Sequence, residues 1–512
     1  MNAPPSNSAE PSSAAPSRTT RSSTRPGNDI NAIAAWTRGY TGQGVTIGIV
    51  DEGVFNIHED LNPNFDFNIS QSARTSSHGT SVAGIAVASG SNGNGSAGLA
   101  YNATYGPQVY AQTAPTEQVN ADALAFRVNA IDIKNNSWGP LDNRAFHPLD
   151  PLEADAIELG ATTGRDGKGT VYVWAAGNGN FLDRPEYDGF AGSRHTIAIG
   201  AIGHLGVRAS YNERGSAMMA VAYSDGNNSD TSPERSIFTT RRPTTNNQDL
   251  YTPFFGGTSA AAPLATGAVA LTLEANPDLT NRDVQHLVVQ TAKPVDLSDE
   301  LWTINGAGRR FNDNYGFGAL DAGRMVTAAE TWTPVGPIVT YDAGLATANE
   351  PVPDIDPANP VTLDFEIPVQ LKTEHAEIRV RMTGPYIGDI RLELVSPSGT
   401  VSTLAETRFF GGDDMDHLFT SVKHWDERSA GTWTLRVADG SAGDEHTLLD
   451  AHLVVRGTCL ADQDRSGTID VNDFQTWLNN YNNESRDADM NGDGGVSPGD
   501  FTAWVAFANI GC

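Results

Sequence analysis

The sequence predicts three folded units: an α/β unit with a parallel sheet, an all-β sandwich or jelly roll, and a small helical unit at the C-terminus. Apolar strand-like runs alternate with helical stretches over residues 29–331, which is typical of a parallel sheet with helices between its strands. Short runs in which apolar and polar residues alternate, separated by turns, recur over 332–457, which indicates half-buried antiparallel strands. Two Asp-rich loops, each followed by an apolar helix, fill 458–512. Residues 1–28 are rich in Ser, Pro and Thr, and we expect them to be disordered.

The elements of the α/β unit follow from its apolar runs. The strand-like runs are Val45–Val50, Thr170–Trp174 and His195–Ile199, and the helical stretches are Gly79–Val87, Ser259–Ala275 and Asn281–Thr291. In the all-β unit, Val361–Ile367, Arg391–Leu394 and Thr432–Val437 alternate in period two, and turn clusters such as Ser396-Pro397-Ser398-Gly399 separate them.

Charge and composition exclude several functions. The chain has 33 Lys and Arg against 62 Asp and Glu, a net charge of −29, which argues against binding to nucleic acid or to an anionic membrane. The sequence has no apolar run long enough to span a membrane. The two cysteines, Cys459 and Cys512, frame the C-terminal unit, and such a pair predicts one disulfide and an oxidising compartment. We therefore expect a secreted, cell-surface or periplasmic protein, although no signal sequence is visible.

Three residues of the α/β unit together indicate nucleophilic catalysis. Asp51 ends an apolar strand, His78 lies at the start of a helix, and Ser259 opens another helix after two glycines. A serine hydroxyl needs an imidazole to take its proton, and the imidazole needs a carboxylate to fix its tautomer. Strand ends and helix starts meet at the carboxyl edge of an open α/β sheet, where such sites lie.

The chain order Asp, His, Ser and the surrounding motifs resemble the subtilisin-like serine proteases, and more narrowly the kexin/furin branch. The motifs are Asp51-Glu52-Gly53, Ser137-Trp138-Gly139-Pro140, Ala175–Asn180, Gly257–Ala265 and His286–Thr291, and in the all-β unit, which resembles the P domain of that branch, Gly388-Asp389-Ile390, Leu394–Thr400 and Ala430–Trp433. The resemblance implies a calcium-dependent endopeptidase that cuts after basic residues, Arg above all.

The resemblance also implies roles for residues around the triad. Asn178 is expected to supply the oxyanion-hole amide. The pocket for the basic residue before the cut is expected to use the carboxylates of Asp142 and Asp188, because a buried guanidinium needs charged planar acceptors. The other substrate-binding residues implied are Glu52, Ser137, Trp138 and Gly139. Thr75 stands where furin-like enzymes carry Asp, so whether a second basic residue is required upstream stays open.

Calcium is the cofactor that the resemblance implies, at two sites in the α/β unit. The first site would use the Asp60 side chain, the Asn92 side chain, and the carbonyls of Ser89, Asn94 and Ser96. The second would use Asp142, Asp183 and Glu213 near the substrate pocket. Oxygen-only ligand sets of this kind suit a hard cation.

The C-terminal unit carries two EF-hand-like loops and resembles a dockerin. The first loop provides Asp462, Asp464, Ser466, Thr468, Asp470 and Asp473, and the second provides Asp489, Asn491, Asp493, Gly495, Ser497 and Asp500, in positions 1, 3, 5, 7, 9 and 12. Gly467 and Gly494 stand at the sharp turn of each loop. A dockerin implies a cohesin-like or cell-surface partner.

Two alternatives to the basic-specific endopeptidase remain open from the sequence. One is a broad-specificity subtilase whose acidic pocket residues only bind calcium. The other is a calcium-dependent adhesion or scaffold protein without catalysis, and the complete set of Asp51, His78, Ser259 and Asn178 argues against it.

Overall fold

A computed structural model describes residues 28–90, 92–110, 116–226 and 236–511. The prediction of disorder for residues 1–28 falls, apart from Asn28, outside the described residues, and so does Cys512.

The α/β unit contains the elements β1 to β10 and α1 to α7. The helices are α1 (Ala32–Thr37), α2 (Ser77–Val87), α3 (Glu117–Ala125), α4 (Pro151–Thr163), α5 (Thr258–Ala275), α6 (Asn281–Thr291) and α7 (Ala322–Ala329). The strands are β1 (Thr46–Asp51), β2 (Thr104–Val109), β3 (Ile133–Asn136), β4 (Val171–Ala175), β5 (Thr196–Ile202), β6 (Ala220–Tyr223), β7 (Ile237–Thr240), β8 (Tyr251–Phe255), β9 (Thr303–Ile304) and β10 (Arg310–Phe311). The predicted strands and helices are present, with ends shifted by up to three residues.

A six-stranded parallel sheet in the order β2-β1-β3-β4-β5-β6 forms the centre of this unit. Helices cover both of its faces, as successive residues of β3 demonstrate. The Lys134 ammonium donates to the Ala123 and Phe126 carbonyls at the end of α3, whereas Asn135 bonds to Thr266 of α5. Since neighbouring strand residues point to opposite faces, α3 and α5 lie on opposite sides. The strand order reverses beside β1, so the crevice beyond the carboxyl ends of β1 and β3 is the expected place for a site.

The all-β unit is a sandwich of two four-stranded antiparallel sheets. Its strands are β11 (Ile338–Val352), β12 (Val361–Ile367), β13 (Leu371–Thr383), β14 (Ile390–Val395), β15 (Val401–Ala405), β16 (Met415–Ser421), β17 (Gly431–Asp439) and β18 (His446–Cys459). The sheets run β11-β18-β13-β16 and β12-β17-β14-β15. Their alternating apolar residues, such as Ile378, Leu392, Leu435 and Leu453, are fully buried in one core, which confirms the predicted all-β class.

The C-terminal unit consists of two helices, α8 (Val471–Asn482) and α9 (Pro498–Ile510), around a small core of its own. Leu460, Trp477, Ala488, Met490 and Trp504 are buried there. Cys459 is disulfide-bonded, and its predicted partner, Cys512, lies outside the described residues.

The three units pack against one another. Trp425 of the sandwich is buried in the core of the α/β unit, edge-on to His286 at 4.8 Å. Arg428 of the sandwich donates to the Asp489 and Met490 carbonyls of the C-terminal unit. Arg465 of the first Asp-rich loop donates to the Thr333 carbonyl in the linker.

Candidate active site

Asp51 and His78 lie together at the carboxyl end of β1. Asp51 is the last residue of the strand and is fully buried, while His78 is in the first turn of α2, which Ser76 caps through a hydrogen bond to the Gly79 N–H. The His78 Nδ1 lies 3.0 Å from both Asp51 carboxylate oxygens. Gly79 must be a glycine, since a Cβ there would come within 2.2 Å of the Gly53 carbonyl oxygen.

The electrostatics of this pair favour a charged imidazole. Burial disfavours the cation, but the negative charge and the hydrogen bond of Asp51, together with the charge of Glu52, outweigh it and raise the pKa of His78. The carboxylate therefore stabilises the imidazolium that forms when His78 accepts a proton.

Ser259 is the second residue of α5, which begins at Thr258 directly after Gly256 and Gly257. Its hydroxyl donates to the Ser137 carbonyl at 3.2 Å, and the Ser137 hydroxyl in turn donates to the Ser259 carbonyl at 3.1 Å. The described hydrogen bonds do not include one between Ser259 and His78, and catalytic bonds of this kind often tighten only when substrate is bound.

The Asn178 side chain is held in one orientation by Thr258. Its oxygen accepts from the Thr258 N–H at 2.9 Å and from the Thr258 hydroxyl at 3.0 Å. Because the oxygen is engaged, the amide nitrogen is left to donate to a substrate oxygen. Thr258 was missed as a functional residue in the sequence, although it is adjacent to the nucleophile candidate.

A cavity of about 200 Å³ begins at Ser259 and Asn178 and contains the predicted pocket residues. Its lining includes Ser137, Trp138, Gly139, Asp142, Asp183, Asp188 and Glu213. One Asp188 oxygen accepts from the Phe190 N–H at 2.7 Å. The other lies 3.1 Å from the point where a Cβ on Gly139 would stand, so the glycine leaves that oxygen accessible. Burial raises the pKa of Asp188 to about 7.

Trp138 forms the apolar wall beside this pocket. Its ring stacks on Tyr110 at 4.5 Å and meets Trp174 and Phe190 edge-on. This packing fixes the segment that carries Gly139. Glu52, the remaining predicted substrate contact, follows Asp51 directly and acts on His78 by its charge.

Asp142, Asp183 and Glu213, the residues predicted for the second calcium site, all lie around Gly179, although among the described residues only Asp462, Asp464 and Asp473 bring three carboxylate oxygens within 4.8 Å of one another. The Gly179 N–H donates to Glu213 at 2.9 Å, and a Cβ on Gly179 would meet side-chain atoms of all three residues within 3.2 Å. Burial and mutual repulsion raise the pKa of Asp183 and Glu213. None of the ion pairs among the described residues involves the three carboxylates. The set offers the oxygen ligands that a hard divalent cation prefers, and such a cation would relieve the repulsion.

The first calcium site is partly assembled around Asp60, which is fully buried. Its carboxylate accepts from the Asn92 amide at 2.5 Å and from the Ser96 N–H at 3.1 Å, and its carbonyl accepts from the Ser89 N–H at 2.7 Å. The Asn94 N–H donates to the Asn92 side-chain oxygen at 3.1 Å. The Ser96 hydroxyl is buried without a hydrogen-bond partner in the described structure. The Asp60 carboxylate suits calcium, but the described contacts bring N–H groups to it, including the Asn92 amide, rather than the predicted carbonyls.

The two Asp-rich loops of the C-terminal unit are built alike. In each, the carboxylate at position 12 accepts the N–H of position 9, from Asp470 to Asp473 and from Ser497 to Asp500, both at 2.7 Å. In the first loop, Asp462, Asp464 and Asp473 bring one oxygen each within 4.8 Å of one another. The corresponding residues of the second loop cap its backbone, with Asp489 accepting from the Gly492 and Gly494 N–H groups.

The described helices include none with the length and apolar character of a membrane span.

Comparison with known proteins shows two family models that match parts of this chain. The model of the subtilase family (Peptidase S8) matches residues 42–318, and the proprotein convertase P-domain model matches 373–455. A PC3-like endoprotease (variant B) of Hydra vulgaris is 37% identical over 446 residues, which are 82% of this chain and 61% of that protein. Furin of Homo sapiens is 36% identical over 452 residues, 84% of this chain and 56% of furin. The chain thus covers about three fifths of the length of these relatives, and residues 458–512 lie outside both family models.

The fold matches a solved structure, that of a serine protease of Aeromonas sobria. The TM-score is 0.75 at 24% identity, over 86% of this chain and 94% of that one. At this identity the likeness establishes the fold alone. The subtilase model covers more than half of the chain and is followed by the P-domain model, and therefore the chain belongs to the subtilase family, in an arrangement with a P domain.

Proposed function

We propose that this protein is a calcium-dependent serine endopeptidase that cleaves peptide bonds after basic residues, preferably Arg. One observation carries the proposal: the buried Asp51 carboxylate bonds to the partly exposed His78 at the carboxyl edge of the sheet, and Ser259 lines a cavity that also contains Asp188. A relative named as a PC3-like endoprotease, at 37% identity, and furin, at 36% identity, support it.

The proposed chemistry assigns one role to each residue. The Ser259 oxygen attacks the substrate carbonyl while its proton passes to the free imidazole nitrogen of His78, and Asp51 stabilises the resulting imidazolium. The Asn178 amide donates to the developing oxyanion. His78 then gives its proton to the leaving amine, and water releases the acyl group by the same steps. Removing one oxyanion donor typically costs about 3–4 kcal/mol of barrier.

The proposed specificity rests on charge in a small pocket. A substrate Arg would reach the accessible Asp188 oxygen past Gly139 and form a charge-assisted hydrogen bond. Asp142, which lines the same cavity, would contribute negative charge while also holding calcium with Asp183 and Glu213. Bound there, calcium would offset most of the charge of the three carboxylates, leave a net negative charge near the pocket, and fix the walls of the pocket.

The C-terminal unit is proposed to be a dockerin-like calcium module. Two observations support this: three carboxylate oxygens converge in the first loop, and in both loops the carboxylate at position 12 accepts the N–H of position 9. The cohesin-like or cell-surface partner that the resemblance implies stays a prediction, without support from the comparisons. The disulfide at Cys459 supports an exported location.

The test is cleavage of fluorogenic peptides that differ only in Arg, Lys or Leu before the cut, with calcium and with chelator. We expect the order Arg, Lys, Leu, and loss of activity in chelator that added calcium restores. Equal cleavage after Arg and Leu would favour a broad-specificity subtilase instead, and full activity in chelator would contradict calcium dependence.

A further inference from the structure

The turn that presents Ser259 is held on two sides, and only one of them belongs to the oxyanion site. Asn178 holds Thr258 on one side. On the other, the Gly257 N–H donates to the Asp225 carboxylate at 2.9 Å, and the Gly257 carbonyl accepts from the Ser224 hydroxyl at 2.8 Å. The Gly256–Gly257 and Gly257–Thr258 peptide groups are therefore fixed by side chains.

Asp225 is itself held in place. The Tyr211 hydroxyl donates to the same carboxylate at 2.5 Å. Tyr211 is almost completely buried, and its carbonyl accepts from the Asn180 N–H at 2.8 Å. Tyr211 thus joins the segment that carries Asn178 to the turn that carries Ser259, through Asp225.

The turn is shaped to accept this carboxylate. A Cβ on Gly256 would lie about 2.1 Å from Asp225 carboxylate atoms, far inside van der Waals contact, so only glycine allows the carboxylate to reach the Gly257 N–H. Gly257 has a φ of 75°, a conformation that favours glycine. An N–H that points at a fixed charged acceptor holds such a turn in one conformation.

We propose that Asp225 is a positioning residue for the nucleophile: it fixes the Gly256–Gly257 peptide, and through it the place of the Ser259 hydroxyl relative to His78 and Asn178. It lines neither the described cavity nor the predicted calcium sites. The inference rests on the proposed function, in which Ser259 is the nucleophile. Loss of the Asp225 carboxylate should therefore lower kcat and leave KM for Arg peptides nearly unchanged, since small displacements of a reacting group can cost on the order of 100-fold in rate.

The test compares Asp225→Ala with Asp155→Ala, a matched control on the exposed face of α4. Peptide hydrolysis gives kcat and KM, and diisopropyl fluorophosphate measures the reactivity of the Ser259 hydroxyl without use of the Arg pocket. We expect kcat and the phosphorylation rate of Asp225→Ala to fall together by about 10- to 100-fold, while Asp155→Ala stays like the unchanged protein. Asp225→Asn, which keeps an acceptor for Gly257, should recover part of the loss.

Folding is monitored by circular dichroism and by titration of active sites. If Asp225→Ala does not fold, Asp225→Asn and Gly256→Ala test the same contact, and Gly256→Ala should lower the phosphorylation rate by displacing the carboxylate. A wild-type phosphorylation rate in folded Asp225→Ala, or a loss confined to KM, would overturn the inference. Failure of the proposed function is distinguishable, because Ser259→Ala would then remain active.

Discussion

Replacing Asp188 with asparagine tests the source of the expected preference for Arg. The asparagine side chain would have nearly the same shape and could keep the hydrogen bond that Asp188 now accepts from Phe190 at 2.7 Å. Only the charge and one acceptor oxygen, the one beside Gly139, would be lost. The substitution therefore isolates electrostatics from pocket shape.

The expected loss in kcat/KM follows from the burial of the ion pair that Asp188 would form with a substrate Arg. Removing one partner of a buried, hydrogen-bonded charge pair costs about 2–5 kcal/mol, and Asp142 at the same cavity would keep part of the attraction. We expect a loss below the top of that range, about 2–4 kcal/mol, which is roughly 30- to 1000-fold in kcat/KM for Arg substrates. A Leu substrate should lose little, because it has no charge to pair.

The assay is kcat/KM for matched Arg and Leu peptides with the unchanged protein, Asp188→Asn and the surface control Asp155→Asn. The ratio of Arg to Leu cleavage should fall only in Asp188→Asn. If that ratio is unchanged while the variant is folded and active, Asp188 does not bind the basic side chain of the substrate, and its assignment to the pocket is wrong.

Two further predictions concern the proton acceptor and the C-terminal unit. Asp51→Asn should reduce kcat by about 10⁴-fold. Because the Asp51 charge raises the pKa of His78 and catalysis needs the neutral imidazole, the acidic limb of the pH profile of the remaining activity should shift to lower pH. An acidic limb that does not shift would contradict the pairing of Asp51 with His78. The second change, Asp473→Asn, is made in a Ser259→Ala background, which prevents self-cleavage. With calcium present, it should make the C-terminal unit cleavable by trypsin while the other units resist, because metal binding and folding of such loops are coupled. Equal resistance to trypsin with and without Asp473→Asn would argue against a calcium loop.

The sequence was sufficient for most of the fold because each unit repeats one local pattern. Strands such as Thr46–Asp51, buried on both faces, and the alternation of Val361–Ile367 are readable without a structure. Motifs placed Asp51, His78 and Ser259 because strand ends and helix starts in such a sheet meet at one edge.

Long-range contacts could not be predicted in this way. Trp425 lies in the sandwich sequence yet fills the core of the α/β unit, and nothing in its local pattern distinguishes it from a core residue of its own unit. Asp225 follows a strand in a Ser-Asp-Gly turn, where Asp is ordinary for local reasons. Its contact with Gly257, 32 positions along the chain, depends on how two segments meet in space.

The central claim is that Ser259 is the nucleophile of a peptidase, and labelling with diisopropyl fluorophosphate tests it most directly. The unchanged protein should incorporate one phosphoryl group, on Ser259 by mass spectrometry of its peptides, and lose cleavage of the Arg peptide in proportion. Folded Ser259→Ala should incorporate none and cleave the peptide several orders of magnitude more slowly. Labelling of another serine, or near-normal cleavage by folded Ser259→Ala, would contradict the account.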